Sequence, residues 1–345
     1  MENIMQQLLD KLILKGINEG NFPSAVAAVG CKDRVFAVST FGKTEGKDST
    51  PVDKNTLYDM ASCTKIMSTT MLAFISLEKG ELTLYDTVGS YLEAPETHRD
   101  ITIKELMIHT SGLLPTVRLD KLCKSSEEVV ETIFFLPTTE RGKADYSCLG
   151  FIILGKILEK IYGDTLDVLA KNMVFEPLNM KNTCYCPKGG NIASTEIDPT
   201  TGKAINGVVH DENARFMGGV AGNAGVFSNI GDCTLYLSML SQKGQGFISE
   251  AMLNKAIINY TKEEQRGLGF ALAGGEASFF GDIMPDCSFG HTGFTGTSLV
   301  VDPSSGFFVA LLTNRVYPSR TNRTHMRFRR VFHNALYSEF VKKYK

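Results

Sequence analysis

The chain reads as an α+β protein: an antiparallel sheet built from both chain ends, flanked by helices, with a mostly helical region inserted between its strands. Three observations lead there. Short apolar runs broken by turn residues occur near the N-terminus and again near the C-terminus, the middle carries helical periodicity, and each end has an amphipathic helix. The expected division is a discontinuous sheet domain over 1–58 and 262–345 and a mostly helical region over 59–261. The active site is expected at their interface.

Along the chain, Ile4, Leu8 and Leu12 recur at helical spacing and predict a helix over 2–15. Ala25–Gly30 and Val35–Ser39 flank Lys32-Asp33-Arg34 and read as a hairpin. An apolar helix is predicted from Ser62 to about Lys79, with Gly80 free to take the left-handed cap. Leu149–Tyr162, stopped by Gly163, and Asp232–Ser241 are the next helices. Gly267–Leu272 reads as a strand. Thr297–Val301 and Phe307–Thr313 form a second hairpin around Asp302-Pro303-Ser304-Ser305-Gly306. A helix over Asn322–Lys342 closes the chain.

Composition narrows the function. With 345 residues, 43% hydrophobic and 21% charged, the chain can bury a large core. A net charge of −2 offers no basic field for nucleic acid or an anionic membrane, and no apolar run reaches the length of a membrane span. Asp10, Lys11 and Lys15 interrupt what would be the apolar part of an export signal. A cytoplasmic location is therefore expected, with the eight cysteines as free thiols. Cys184 and Cys186 flank Tyr185 but lack the further ligands zinc needs, so two buried thiols are expected and no metal or organic cofactor. Nothing in the sequence bears on oligomeric state.

The chemistry centres on Ser62-Cys63-Thr64-Lys65 at the start of an apolar helix. Residues three apart share a helix face, so the Ser62 hydroxyl and Lys65 amine can meet. A serine hydroxyl needs a neighbouring base, and a lysine whose pKa is lowered by desolvation can serve. The helix start adds N–H groups that favour an oxyanion. Ser76–Lys79 repeats the spacing but ends the helix at Gly80 and reads as a C-terminus. Cys63 lies about a hundred degrees around the helix from Ser62, away from the face of Lys65. Two further elements stand out: Tyr146-Ser147-Cys148 before the next helix, and His291-Thr292-Gly293 before a late strand. A tyrosine beside a lysine ionises more readily and can act as base. His291 is read as a hydrogen-bond donor to substrate or to the tyrosine.

In this order the three motifs resemble the serine β-lactamase and penicillin-binding-protein superfamily, and most of all its class C β-lactamase-like branch, which includes carboxylesterases and D-amino-acid-specific peptidases. The likeness extends through Leu57–Ala61, Gly80–Asp86, Ile101–Pro115 with His109-Thr110-Ser111-Gly112, Glu176–Met180, Val209–Ala214, Gly218–Gly222 and Asn314-Arg315. It implies a β-lactamase/transpeptidase-like fold. It also implies Ser62 as the acylated nucleophile, Lys65 as its activating partner and Tyr146 as proton shuttle, with the Ser62 and Phe294 N–H groups, the latter after Gly293, as oxyanion hole. The His109 block is structural in this family; His210 lines the cleft or belongs to a turn.

Two departures shape the expected substrate. His291 stands where class C β-lactamases carry lysine, which removes a fixed charge for a carboxylate. Cys148 stands where Asn or Asp is usual, and a thiol is a weak partner for a substrate amide. The expectation is a serine acyl-hydrolase on small-molecule acyl substrates, a carboxylesterase with weak or no β-lactamase action. The alternatives are a D-amino-acid-specific peptidase or penicillin-binding D,D-carboxypeptidase, and a non-hydrolytic sensor that stays acylated.

Overall fold

A computed structural model describes residues 2–46, 49–262, 264–275 and 278–344. Its elements in order are α1 (Glu2–Asn18), β1 (Ser24–Cys31), β2 (Arg34–Gly42), β3 (Tyr58–Asp59), α2 (Thr70–Lys79), α3 (Cys148–Tyr162), β4 (Cys184–Tyr185), β5 (Val226–Ser228), α4 (Ile230–Ser241), β6 (Ala271–Leu272), β7 (Phe289–Thr292), β8 (Ser298–Asp302), β9 (Phe307–Thr313) and α5 (His325–Tyr344), with shorter helical turns between.

The main sheet is antiparallel with six strands in the order β2-β1-β9-β8-β7-β6. The two chain ends meet where β1 pairs β9, with Ala27 opposite Leu311. Alternate residues of these strands serve two cores. Val26, Ala28, Phe308, Ala310 and Leu312 pack against the helical region. Ala25, Ala27, Val29, Phe307, Val309 and Leu311 pack with residues of α1 and α5. Burial on both faces explains why these strands read as continuous apolar runs. A small sheet, β3-β5-β4, sits between the inserted helices and carries the chain into Ser62.

Three expectations need correction. The helix from Ser62 is not continuous: Ala61–Cys63 is a 3-10 turn and Lys65–Thr69 a π turn, before α2 begins at Thr70. Tyr236 donates its hydroxyl to the Ile66 carbonyl at 2.7 Å inside the widened turn, the kind of insertion that displaces regular helix bonding. The strand expected over Gly267–Leu272 shrinks to Ala271–Leu272. The Gly267 N–H donates to the Phe270 carbonyl at 3.0 Å, closing a tight turn. Gly269, at φ +78°, lies so close to α2 that a Cβ would stand 2.2 Å from Thr70 Oγ1. Finally, His291-Thr292 belongs to a strand of its own, β7, paired with β8 through His291 and Leu299.

Candidate active site

Ser62 is positioned from below. Met60 N–H donates to the Val226 carbonyl at 2.9 Å, and the Ala61 N–H donates to Asp59 Oδ1 at 2.8 Å. Asp59 is fully buried, which raises its carboxyl above the ordinary value, and it also accepts the His210 N–H. Ala61 is held at φ +46°, unusual for a residue with a side chain.

Lys65 is fully buried and donates to Ser62 Oγ at 3.1 Å, to the Asn223 carbonyl at 3.1 Å and to Cys148 Sγ at 3.5 Å. Its ammonium also lies 5.0 Å from the Tyr146 ring centre and 5.6 Å from that of Phe151. Burial does press its pKa down, but the facing Cys148 and Tyr146 groups more than offset this and hold it above the ordinary value.

Tyr146 precedes the cap of α3, where Ser147 Oγ accepts the Leu149 N–H at 3.2 Å and donates to the Leu114 carbonyl at 2.7 Å. Its phenol faces Lys65 and Ser62. Desolvation raises its pKa, while Lys65 and Ser62 both favour the anion. Around its ring stand His109 at 4.5 Å, His291 at 5.9 Å and the Arg266 guanidinium at 5.1 Å. Arg266 also pairs with Glu264 at 2.9 Å.

On β7, His291 is 3% exposed, and its Nδ1 lies 2.8 Å from its neighbour Thr292's carbonyl. A carbonyl accepts only, so Nδ1 carries the proton. Nε2 is left as a lone pair, buried and without a partner among the described residues. Burial first, then the charges of Lys65 and Arg266, push this imidazole down to about 3. His291 is thus a neutral acceptor, not the donor expected from the sequence. Gly293 is demanded by contact: a Cβ there would stand 2.1 Å from Thr297 Oγ1 and 2.6 Å from the Met60 carbonyl. The Gly293 N–H donates to Thr297 at 2.9 Å and the Gly296 N–H to Gly293 at 3.0 Å. Neither bond uses the N–H of Phe294, whose ring is 49% exposed and lies 5.7 Å from the His210 ring and 4.6 Å from the Arg315 guanidinium.

Other residues fall outside the reaction centre. Cys63 is fully buried with its thiol pushed up to about 12 by burial, and it faces the His291 carbonyl at 3.6 Å. Ser76 donates to the Leu72 carbonyl at 2.8 Å and Gly80 takes φ +73°, as a helix end requires. His210 Nε2 meets Glu196 at 3.0 Å. Cys186 donates to the Gly218 carbonyl at 3.3 Å, and no group of three His, Cys, Asp or Glu among the described residues could hold a metal. Two cavities of about 690 and 510 Å³ lie elsewhere, the first lined by Ser90, Arg99 and Lys160, the second by Asp167, Lys171 and Cys184. No helix among the described residues is long and apolar enough to cross a membrane.

The structure thus brings Ser62, Lys65, Tyr146, Cys148, His291 and the Gly293–Phe294 turn close together. Sequence reasoning missed Arg266 and the Asn223 carbonyl. For Arg266, the signal was the turn residues Gly267 and Gly269 beside a charge. The Asn223 carbonyl is a backbone group, and no residue type announces it.

The family model described as Beta-lactamase matches residues 1–332. The N-acetylmuramyl-L-alanine amidase of Bacillus subtilis (strain 168) is 29% identical over 354 aligned residues, covering 89% of this chain and 80% of that protein. A putative D-alanyl-D-alanine carboxypeptidase of Escherichia coli (strain K12) is 29% identical over 300 residues, covering 75% and 69%. Among solved structures, a class C β-lactamase from Rhodobacter sphaeroides superimposes with a TM-score of 0.78 at 21% identity, over 97% of this chain and all (100%) of that one.

Proposed function

The chain belongs to the Beta-lactamase family and is a serine-hydrolase-type enzyme; from that premise we propose that it hydrolyses small acyl esters through an acyl-enzyme on Ser62. The observation that carries this is the contact of Lys65 Nζ with Ser62 Oγ at 3.1 Å under a phenol that faces both. As Ser62 Oγ bonds to the acyl carbon, its proton passes to the Tyr146 phenolate, a minor form that the Lys65 cation favours. Tyr146 then protonates the departing alkoxide, and the same steps reversed with water free the acid. The N–H groups of Ser62 and Phe294 receive the carbonyl oxygen.

The ester preference rests on His291 and Cys148. A neutral acceptor on β7 gives no charge for a carboxylate, and a thiol at the start of α3 grips an amide weakly.

One observation favours a second reading. Arg266 brings a guanidinium within 5.1 Å of the Tyr146 ring centre, which suits a peptide ending in a carboxylate, such as the D-alanyl-D-alanine in the name of the carboxypeptidase relative. Steady-state rates with a p-nitrophenyl ester and with a peptide ending in two D-alanines, each against wild type and R266Q, separate the two. On the ester reading the ester is the better substrate and R266Q leaves its KM within about twofold. A faster peptide whose KM rises about tenfold in R266Q would replace it with the second.

A further inference from the structure

We infer that His109 is a positioning residue that fixes Tyr146 for proton transfer; this rests on the reading of Tyr146 as proton shuttle. His109 holds the chain on both sides of that tyrosine. Its carbonyl accepts the Asp145 N–H at 2.8 Å, and its side-chain Nδ1 accepts the Ser147 N–H at 3.1 Å. Between these two bonds the imidazole lies 4.5 Å from the Tyr146 ring centre. The next residues continue the clamp, with the Thr110 carbonyl accepting the Gly142 N–H and the Gly112 carbonyl that of Thr139.

The conformation is held at a cost. His109 is 2% exposed and sits at φ +59°, a region that favours glycine or asparagine. A strained backbone persists where surrounding contacts over-determine it. The bond to Ser147 also requires an unprotonated Nδ1, and His109 is kept neutral: burial, followed by the charges of Arg266 and Lys65, drives its pKa well below the ordinary histidine value. Because Nδ1 accepts, the proton is on Nε2, which is buried without a partner among the described residues beside the same ring. The Nδ1 lone pair is therefore spent on geometry.

Asn and Gln at this position distinguish positioning from bulk. Asn presents its oxygen near the place of Nδ1 and can accept from Ser147; Gln presents it near Nε2 and cannot. The experiment measures kcat and KM for a p-nitrophenyl ester with wild type, H109N, H109Q, Y146F and the double variant H109Q/Y146F, each concentration set by absorbance and each fold checked by circular dichroism. The expected result is kcat within about threefold of wild type for H109N and about ten- to a hundredfold lower for H109Q, with KM little changed. H109Q should add less than about twofold to the loss in Y146F. Equal kcat for H109N and H109Q, or an undiminished effect of H109Q on top of Y146F, overturns the inference while Tyr146 stands. Wild-type kcat in Y146F overturns the shuttle reading itself, and the positioning role with it.

Discussion

Lys65 shares one ammonium among the Ser62 hydroxyl, the Asn223 carbonyl and the Cys148 thiol, all within 3.5 Å. Replacing it with Met takes the ammonium away from the Ser62 hydroxyl and from the Asn223 carbonyl beside the reacting atoms. Ester kcat/KM should fall by about a thousandfold or more in K65M. Arg should not restore it, because a planar fork cannot replace a compact three-donor head. Progress curves on a p-nitrophenyl ester check both. At this scale the sequence exposed Ser62, Lys65 and Tyr146 as candidates, since a three-residue spacing or a tyrosine at a helix start is local. It hid what depends on distant contacts: the meeting of Lys65 with Cys148 and Tyr146, 83 and 81 positions away, and the tautomer of His291, which a backbone carbonyl decides.

At the scale of elements, catalytic geometry depends on how closely the end of β7 approaches the Ser62 turn. In Gly293→Ala the new methyl would collide with Thr297 Oγ1 and the Met60 carbonyl, driving the two apart. The expected outcome is a loss of about a hundredfold in kcat with the protein still folded, read from ester kinetics beside circular dichroism. The β8–β9 turn makes the opposite prediction. Asp302 accepts the Ser304 N–H at 2.9 Å, the Ser304 and Ser305 hydroxyls at 2.6 Å and the Tyr337 hydroxyl at 3.0 Å, tying the hairpin to α5. Asp302→Ala should cost about 2–3 kcal/mol in urea unfolding and leave kcat per acyl-titratable Ser62 unchanged. That hairpin was legible because Asp-Pro-Ser-Ser-Gly is turn chemistry. β7 was not, because Gly290 interrupts its pattern: the strand passes so near β8 that a Cβ there would meet the Leu299 carbonyl at 2.0 Å. The π turn was invisible for a similar reason, since Tyr236, which takes the Ile66 carbonyl, lies 170 residues downstream.

For the whole molecule, the two-sided sheet explains both the fold and its pH behaviour. Joining β1 to β9 closes one core under the helical region and another under α1 and α5. The interior also takes in neutral histidines. His291 is pushed down to about 3 and His333 to about 4, both chiefly by burial, and His109 and His325 fall well below the ordinary value for the same reason. The unfolded chain binds protons on these groups near pH 6.5 while the folded chain does not. Stability is therefore fully present above about pH 6.5 and falls with pH towards 4. Asp59, raised by burial, opposes this with a single group. The urea midpoint should drop steadily between pH 6.5 and 4, and a flat midpoint would mean these histidines are charged in the folded state. The central claim remains the covalent step at Ser62. Intact-protein mass spectrometry over time with a p-nitrophenyl ester should show a transient acyl mass in wild type that is absent in Ser62→Ala. The same adduct in Ser62→Ala, or no adduct in wild type while ester is consumed, would contradict it.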